Sequence, residues 1–390
     1  MKNNIGLVKR ANRSIVIEAI MSNEVVTIEG IVRMAKLSRP TVLGILKDLT
    51  DENLVIKTGF APSEVGRQAV LYSINSRAFY AMGIDIDGPP VRISISDVNG
   101  VSLFNTEFAI ELTASGSQIA EMIIQNIDRS INEAGIEAKK IIGIGLGVPG
   151  VISLTENRIE FISRIKGCLE VSVNNLIEER TGVPVYVRND AHLLSLAEYS
   201  LKKLSGDLIY VIHRSGIGSA QIVSGNLFTG VNGNAGYLGH STINANGRQC
   251  DCGRIGCLET YCSKRAIVAD YCQQTAVQST YRKIVQFASD GDPVAVGVFA
   301  EAGRILGLGI CNSIKMFDIS TVIIGGLGCG EKHVFFKSIC ESIRKNTLEY
   351  MRVQPRVVLG KLDESEFGLG GCHYVLKRFF SLPTLKVSIE

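Results

Sequence analysis

Apolar positions in the first eighty residues recur at helical spacing and then switch to alternation. From Ser14 to Met21, "SIVIEAIM", they mark an amphipathic helix, and Thr27 is placed to cap a second, "IEGIVRMA", which breaks at Lys36-Leu37. In a third, "SRPTVLGILKDLTDEN", Ser38 is the expected N-cap and Pro40 falls in the first turn, where a missing N–H costs little. Val42, Ile45, Leu46 and Leu49 form its apolar face. "LVIKTGF" and "AVLYSIN" read as two strands around a loop containing Gly66-Arg67-Gln68. Short helices joined by a tight turn and followed by a two-stranded wing describe a winged helix-turn-helix over residues 1–78. In such a unit the N-terminal end of the third helix enters the major groove of double-stranded DNA. Arg39 and Thr41 are then the candidate DNA contacts, with Ser38 toward phosphate and Lys47 farther along, at the DNA backbone. Arg67, between turn-prone residues on the wing loop, is placed to reach a minor groove. The alternative is a small helical protein-interaction module in which Arg67 is a solvated loop charge.

From Tyr80 the period becomes two. "AMGIDI", "VRISISDV" and "VSLFNTEFAI" form a three-strand meander, followed by a helix from Ser117 to Ala134, a buried strand in "KIIGIGLGVPG", a helix in "VNNLIEERTG", the strand "VPVYVRND" and a helix from Ala191 to Leu204. The meander texture returns in "LIYVIHRSGIGSAQIVSGNLFTG", and "STVIIGGLGCG" resembles the earlier "KIIGIGLGVPG". Two such copies predict two stacked α/β halves, residues 79–190 and 191–390, with a ligand cleft between them. "GIGLGVPG" lacks the spacing of a dinucleotide loop, and Pro149 with its flanking glycines instead marks a sharp turn where backbone can approach a ligand.

Charge and cysteine usage refine this picture. The first eighty residues hold eleven Lys/Arg against seven Asp/Glu, so they carry the whole basic excess of a chain whose net charge is +3. That asymmetry suits an anionic partner such as DNA. The basic start has no uninterrupted apolar core of a secretory signal, and no run approaches the roughly eighteen apolar residues of a membrane span. The expected location is the reducing cytoplasm, where clustered thiols favour metal binding over disulfides.

"GIDIDG", "IGIGLGVPGVIS", "VYVRNDAHLLSLAEY", "SGIGSA", "NGNAGYLGH", "CDCGRIGCLE" and "VIIGG" occur in the order found in the ROK family (repressor, open reading frame, kinase), which the chain resembles from about Leu7 to Gly371. The resemblance implies an actin-like, ribonuclease H-like duplicated sugar-kinase fold behind the winged helix, and the repressor branch of that family, which includes xylose and N-acetylglucosamine repressors. His240, Cys250, Cys252 and Cys257 supply one nitrogen and three sulfurs, the closed set expected of one structural zinc per chain. A fortuitous cluster of small buried thiols is the alternative. In the family this histidine also contacts the sugar. The resemblance adds Asn189, Asp190 and Glu259 as sugar or effector contacts, although Asn189-Asp190 can equally cap the helix that follows, and Glu259 can favour a helix N-terminus.

Two departures bear on chemistry. Where the family's kinases carry Asp-x-Gly-Gly-Thr-Lys, this chain has Asp85-Ile86-Asp87-Gly88-Pro89-Pro90; a carboxylate there repels phosphate, and the prolines remove N–H donors, so an enzyme is not expected. Arg214-Ser215 precede the second glycine turn, and that arginine is positioned in principle to receive an anion. The family's sugar-contacting glutamate is Tyr237, which admits a smaller ligand, a phosphorylated sugar beside Arg214, or a lost ligand function. The sequence therefore predicts an α/β transcriptional regulator, a repressor of carbohydrate genes, that binds operator DNA as a homodimer or dimer of dimers and senses a sugar or sugar derivative. Its rivals are an active sugar kinase with an appended DNA-binding module and a ligand-independent DNA-binding protein with a vestigial cleft.

Overall fold

The N-terminal unit is a winged helix built from α1 (Lys2–Met21), β1 (Val26–Thr27), α2 (Ile28–Ala35), α3 (Arg39–Asp51), β2 (Val55–Phe60) and β3 (Val70–Ile74). The structure, a computed structural model, describes residues 2–62, 68–162, 165–169, 171–349 and 354–380, so Arg67 lies outside the described residues. The caps form as the residue types require: Thr27 Oγ1 accepts from Gly30 N at 3.1 Å, and Ser38 Oγ from Thr41 N at 3.3 Å. Lys36 ends α2 in the left-handed region at φ 53°. Val16, Ile20, Ile31, Val42, Leu46 and Leu49 make the core. Helix α1 is longer than the apolar pattern predicts, and among its described side chains Lys9 and Arg13 reach α3 and its C-cap through ion pairs, Lys9–Asp48 at 3.4 Å and Arg13–Glu52. β1 pairs antiparallel with β3 and completes a three-stranded sheet.

The first α/β half contains β4 (Tyr80–Asp85), β5 (Val91–Ser96), β6 (Ser102–Phe108), α4 (Gly116–Glu133), β7 (Ile141–Val148), β8 (Gly150–Ser153), β9 (Arg158–Ile162), α5 (Val173–Thr181) and β10 (Val185–Asn189), and α6 (Asp190–Leu201) leads on from it, packing on both sheets. The second contains β11 (Leu208–His213), β12 (Ile217–Val223), β13 (Asn226–Phe228), α7 (Glu259–Cys262), α8 (Lys264–Thr275), α9 (Tyr281–Ser289), α10 (Pro293–Phe317), β14 (Thr321–Gly325), α11 (Val334–Asn346) and β15 (Arg356–Leu359), after which α12 (Leu369–Phe380) ends the described chain. The sheets have corresponding orders, β6-β5-β4-β7-β10 and β13-β12-β11-β14-β15. In each, an antiparallel meander continues into two parallel strands. The similar glycine-rich segments occupy equivalent strands, β7 and β14, as a duplication requires.

Helix α10 corrects the expectation that no segment is apolar enough for a membrane span: by length and composition it is the one helix among the described residues that would qualify. Its hydrophobicity has a packing cause, since α10 lies against α8, α9 and α11 with Leu306, Ile310 and Ile314 fully buried.

α12 returns from the second half to pack on β4, β7 and α6. This explains two glycines within the strands β4 and β7, Gly83 and Gly145. A Cβ on Gly83 would stand 1.7 Å from the carbonyl oxygen of Gly368, and one on Gly145 would stand 2.4 Å from that of Gly371, so their absence lets helix backbone rest on sheet backbone. Gly83→Ala is expected to destabilise the protein by about 3 kcal/mol or more, above the usual range for overpacking because the obstacle is backbone. Urea unfolding measures this; an unchanged midpoint would remove the close packing from the account. α12 also reaches the winged helix: Phe379 lies 5.7 Å from Phe79 between ring centroids, and Phe380 packs on the N-terminal core, which also buries Val98 from the β5–β6 turn.

Candidate effector cleft and metal centre

A cleft of about 650 Å3 opens between the halves. Strand β10 ends at Asn189 and α6 begins at Asp190, which brings both residues to its wall. Tyr237, His240 and Glu259 come from the second half, so all five sequence-predicted effector residues line one cavity. Asn189 also caps α6, its Oδ1 accepting from His192 N at 3.4 Å. The capping and cleft-lining positions therefore coincide. Tyr237 donates its hydroxyl at 3.3 Å to the Gly150 carbonyl or to Asn234 Oδ1, and burial pushes its pKa up to about 12. Pro149 and Gly150 form part of the wall, where the sequence placed a backbone approach.

The metal-ligating side chains converge beside this wall. The candidate ligand atoms of His240, Cys250, Cys252 and Cys257 all lie within 4.8 Å of one another. Cys252 Sγ and Cys257 Sγ are 3.7 Å apart, as are Cys250 Sγ and His240 Nδ1. Zinc–sulfur bonds of about 2.3 Å in a tetrahedron give sulfur–sulfur edges of roughly 3.8 Å, so these spacings fit one small ion. With Nδ1 facing sulfur, Nε2 is the ring atom left for a ligand. The turn is made by Cys250 N donating to Arg254 O at 2.8 Å and by Gly253 at φ 84°. Gly256 is both left-handed, at φ 79°, and closely packed, since a Cβ would meet Asn244 O at 1.7 Å. Glu259 connects metal knot and cleft: Oε1 is 3.3 Å from Cys250 Sγ, and Oε2 accepts from Ile217 N at 3.3 Å.

The feature that sequence did not reveal is a buried ion-pair cluster. Arg214 donates through Nη1 and Nη2 to the two carboxylate oxygens of Asp85, at 3.0 and 2.6 Å, and through Nη1 to Asp190 Oδ2 at 3.1 Å. The three residues are 6%, 2% and 5% exposed. The guanidinium also stacks 4.4 Å over the Phe367 ring, and Ser215 Oγ donates to Asp87 Oδ1 at 3.1 Å. Burial raises the Asp190 carboxyl to about 7, against the pull of Arg214 and with further push from Asp87 and Asp85. Burial opposes charge on Arg214, but the three carboxylates outweigh it and raise its pKa. The arginine expected to be able to receive an anion is thus already held by two carboxylates. Only proximity in space, across 129 positions of sequence for Arg214 and Asp85, creates this contact.

In the winged helix, Ser38, Arg39, Thr41 and Lys47 all lie on α3 or its cap. Lys47 is exposed, Arg39 forms an ion pair with Glu29 of α2, and Ser38 Oγ is 2.8 Å from Thr41 Oγ1.

Two α/β halves of corresponding strand order around a polar cleft define an actin-like, sugar-kinase-type domain carried behind a winged helix. The chain belongs to the ROK family, whose sequence profile matches residues 81–378. It is 27% identical to the xylose repressor of Caldicellulosiruptor bescii, over 97% of this chain and 98% of the relative. It is 26% identical to the DNA-binding transcriptional dual regulator NagC of Escherichia coli, over 92% and 91%. Among solved structures, a ROK family transcriptional regulator described as a homologue of the E. coli Mlc protein superposes with TM-score 0.80 at 23% identity, covering 96% of this chain and 97% of that one. A ROK glucokinase from Streptomyces griseus, in complex with glucose and AMPPNP, superposes with TM-score 0.67 at 27% identity, but covers only 76% of this chain and 98% of its own. The kinase likeness omits about a quarter of this chain, whereas the repressor likenesses run nearly its full length.

Proposed function

We propose that this protein is a sugar-responsive transcriptional repressor, not a kinase, with a DNA reader at residues 1–78 and a sensor formed by residues 79–190 and 191–390, between which α12 crosses. The observation that carries this reading is the union in one chain of a winged helix with an exposed recognition-helix face and a polyol-type cleft. Carboxylates and amides at strand and helix ends suit directional recognition of neighbouring hydroxyls. Asn189, Asp190, Tyr237, His240 and Glu259 are the proposed effector contacts. Zinc is the metal whose geometry suits His240, Cys250, Cys252 and Cys257; there it holds the cleft floor rigid and polarises no substrate, since the protein supplies all four ligands.

A homodimer supplies two recognition helices for half-sites about one helical turn apart. An effector acts by binding one arrangement of the halves more tightly than the other. A gel shift on promoter fragments beside the gene, repeated with candidate sugars, tests the whole reading. A specific shift altered by one sugar supports it; no shift on any fragment overturns it. The kinase reading is favoured by the position of Asp190 at the cleft, where a general base would stand, and sustained ADP release with ATP and a sugar panel would establish it.

Ser38, Arg39, Thr41 and Lys47 are the proposed DNA contacts, with Arg67 at the wing. Arg39→Ala is expected to weaken operator binding by about tenfold to a hundredfold, the range for a base-contacting arginine. Glu29→Gln releases the Arg39 side chain and is expected to strengthen binding. Fluorescence anisotropy at fixed salt reads both, and equal affinities for all three proteins would remove Arg39 from the interface.

A further inference from the structure

We infer that Arg214 restricts the cleft to uncharged sugars and excludes their phosphate esters, an inference that rests on the cleft being a sugar sensor. The restriction comes from what the guanidinium already does. Three of its hydrogen bonds go to Asp85 and Asp190, and one face lies on Phe367. To turn those donors to a phosphate, Arg214 would have to leave the buried Asp190 without this cation and Asp85 with only its 3.5 Å contact to Arg92. The repulsion between those carboxylates and an incoming dianion adds to that cost.

The carboxylates around the cavity reinforce the exclusion, and a second lining arginine is already engaged. Arg265, which also lines the cleft, is held by Asp251 at 2.7 Å and by the Ser215 carbonyl at 2.9 Å. Arg254, exposed on the turn of the metal knot, also lines the cavity. Asp87, Asp190 and Glu259 contribute negative charge to the same cavity, and Asp85 stands directly behind Arg214. An uncharged polyol needs none of these pairs to break. Asp190 Oδ1 accepts from Ala191 N and Oδ2 from Arg214, so each oxygen keeps a lone pair for a sugar hydroxyl. Arg214 therefore acts in two ways: it neutralises the carboxylate wall enough for hydroxyls to approach, and the three donors it turns to Asp85 and Asp190 are closed to a phosphate. Specificity of this kind arises from the penalty imposed on the wrong ligand.

Isothermal titration of the full-length, metal-replete protein with xylose, glucose and N-acetylglucosamine, each beside its terminal phosphate ester, tests this. The expected result is that at least one free sugar binds and that its ester binds at least about tenfold more weakly. Asp85→Asn keeps the side-chain shape and one acceptor while freeing part of the guanidinium. In that variant the gap between sugar and ester is expected to narrow by about tenfold, and because the gap is a ratio within one protein, a general loss of affinity does not mimic it. An ester that binds the unaltered protein as tightly as its parent sugar overturns the restriction and leaves the sugar-sensing reading standing. Heat with neither member of any pair overturns both. An unchanged gap in Asp85→Asn removes Arg214 as its cause.

Discussion

Cys252→Ser is expected to purify without its metal and to lose about 10 °C of thermal stability. Metal binding and folding share one free energy, and a closed site loses most of its affinity when one of four ligands goes. A loss of about 4 kcal/mol in a half of this size corresponds to that shift. The consequence extends beyond the knot. Cys250 contacts Glu259, Glu259 accepts from the Ile217 backbone, and His240 lines the cleft, so loosening the metal turn disturbs three parts of the proposed sugar floor. The variant is therefore expected to lose its response to sugar while the winged helix, whose core includes no residue of the metal knot, keeps DNA affinity. Elemental analysis and circular dichroism check the first effect and anisotropy the second. Full metal occupancy in Cys252→Ser would exclude that thiol as a ligand.

Arg214→Met is expected to cost about 3–5 kcal/mol at pH 8, the range for removing one partner of a buried ion pair. The loss should shrink as pH falls. Asp190 already has its pKa raised to about 7 with the guanidinium beside it, and removing that cation raises it further. A folded-state pKa above the unfolded value of about 3.9 means that the native form holds the proton more tightly, so stability is lost as pH rises through the folded pKa and regained as pH falls. Urea unfolding at pH 8, 7 and 5 should show progressive recovery. A loss independent of pH would mean that packing on Phe367, not the stranded carboxylates, supports the cluster.

Local chemistry made much of this protein legible from its sequence. Thr27 and Ser38 announce helix starts because a cap is a bond between residues three apart, and Val42, Ile45, Leu46 and Leu49 show the buried face of α3 through their spacing. The metal ligands lie within eighteen positions, so their purpose was visible before folding brought them together. Where long-range contacts govern, the pattern was silent. The outer part of α1 is held by Lys9 and Arg13, whose charges give no apolar period. The β8–β9 hairpin owes its place partly to Asn234, which exchanges hydrogen bonds with the Ile152 backbone at 2.9 and 3.1 Å from 82 residues away. Gly83 and Gly145 sit in segments read as strands, but the pattern gave no reason for glycine there until α12 is seen on top of them. Arg214 gave a residue type suited to anions but no sign that Asp85 would claim it.

The last described helix also sets an order of assembly. A nascent chain can form β4, β7 and β10 early, yet the helix that covers part of that sheet emerges only after β11 to β15 have been made, and the same helix supplies Phe379 and Phe380 to the seam with the winged helix. Premature termination near residue 360 would leave an uncovered sheet face and a poorly anchored reader in the same molecule. Completion of the sheet and anchoring of the N-terminal unit therefore fall to one late-made segment, and a chain lacking it exposes apolar surface.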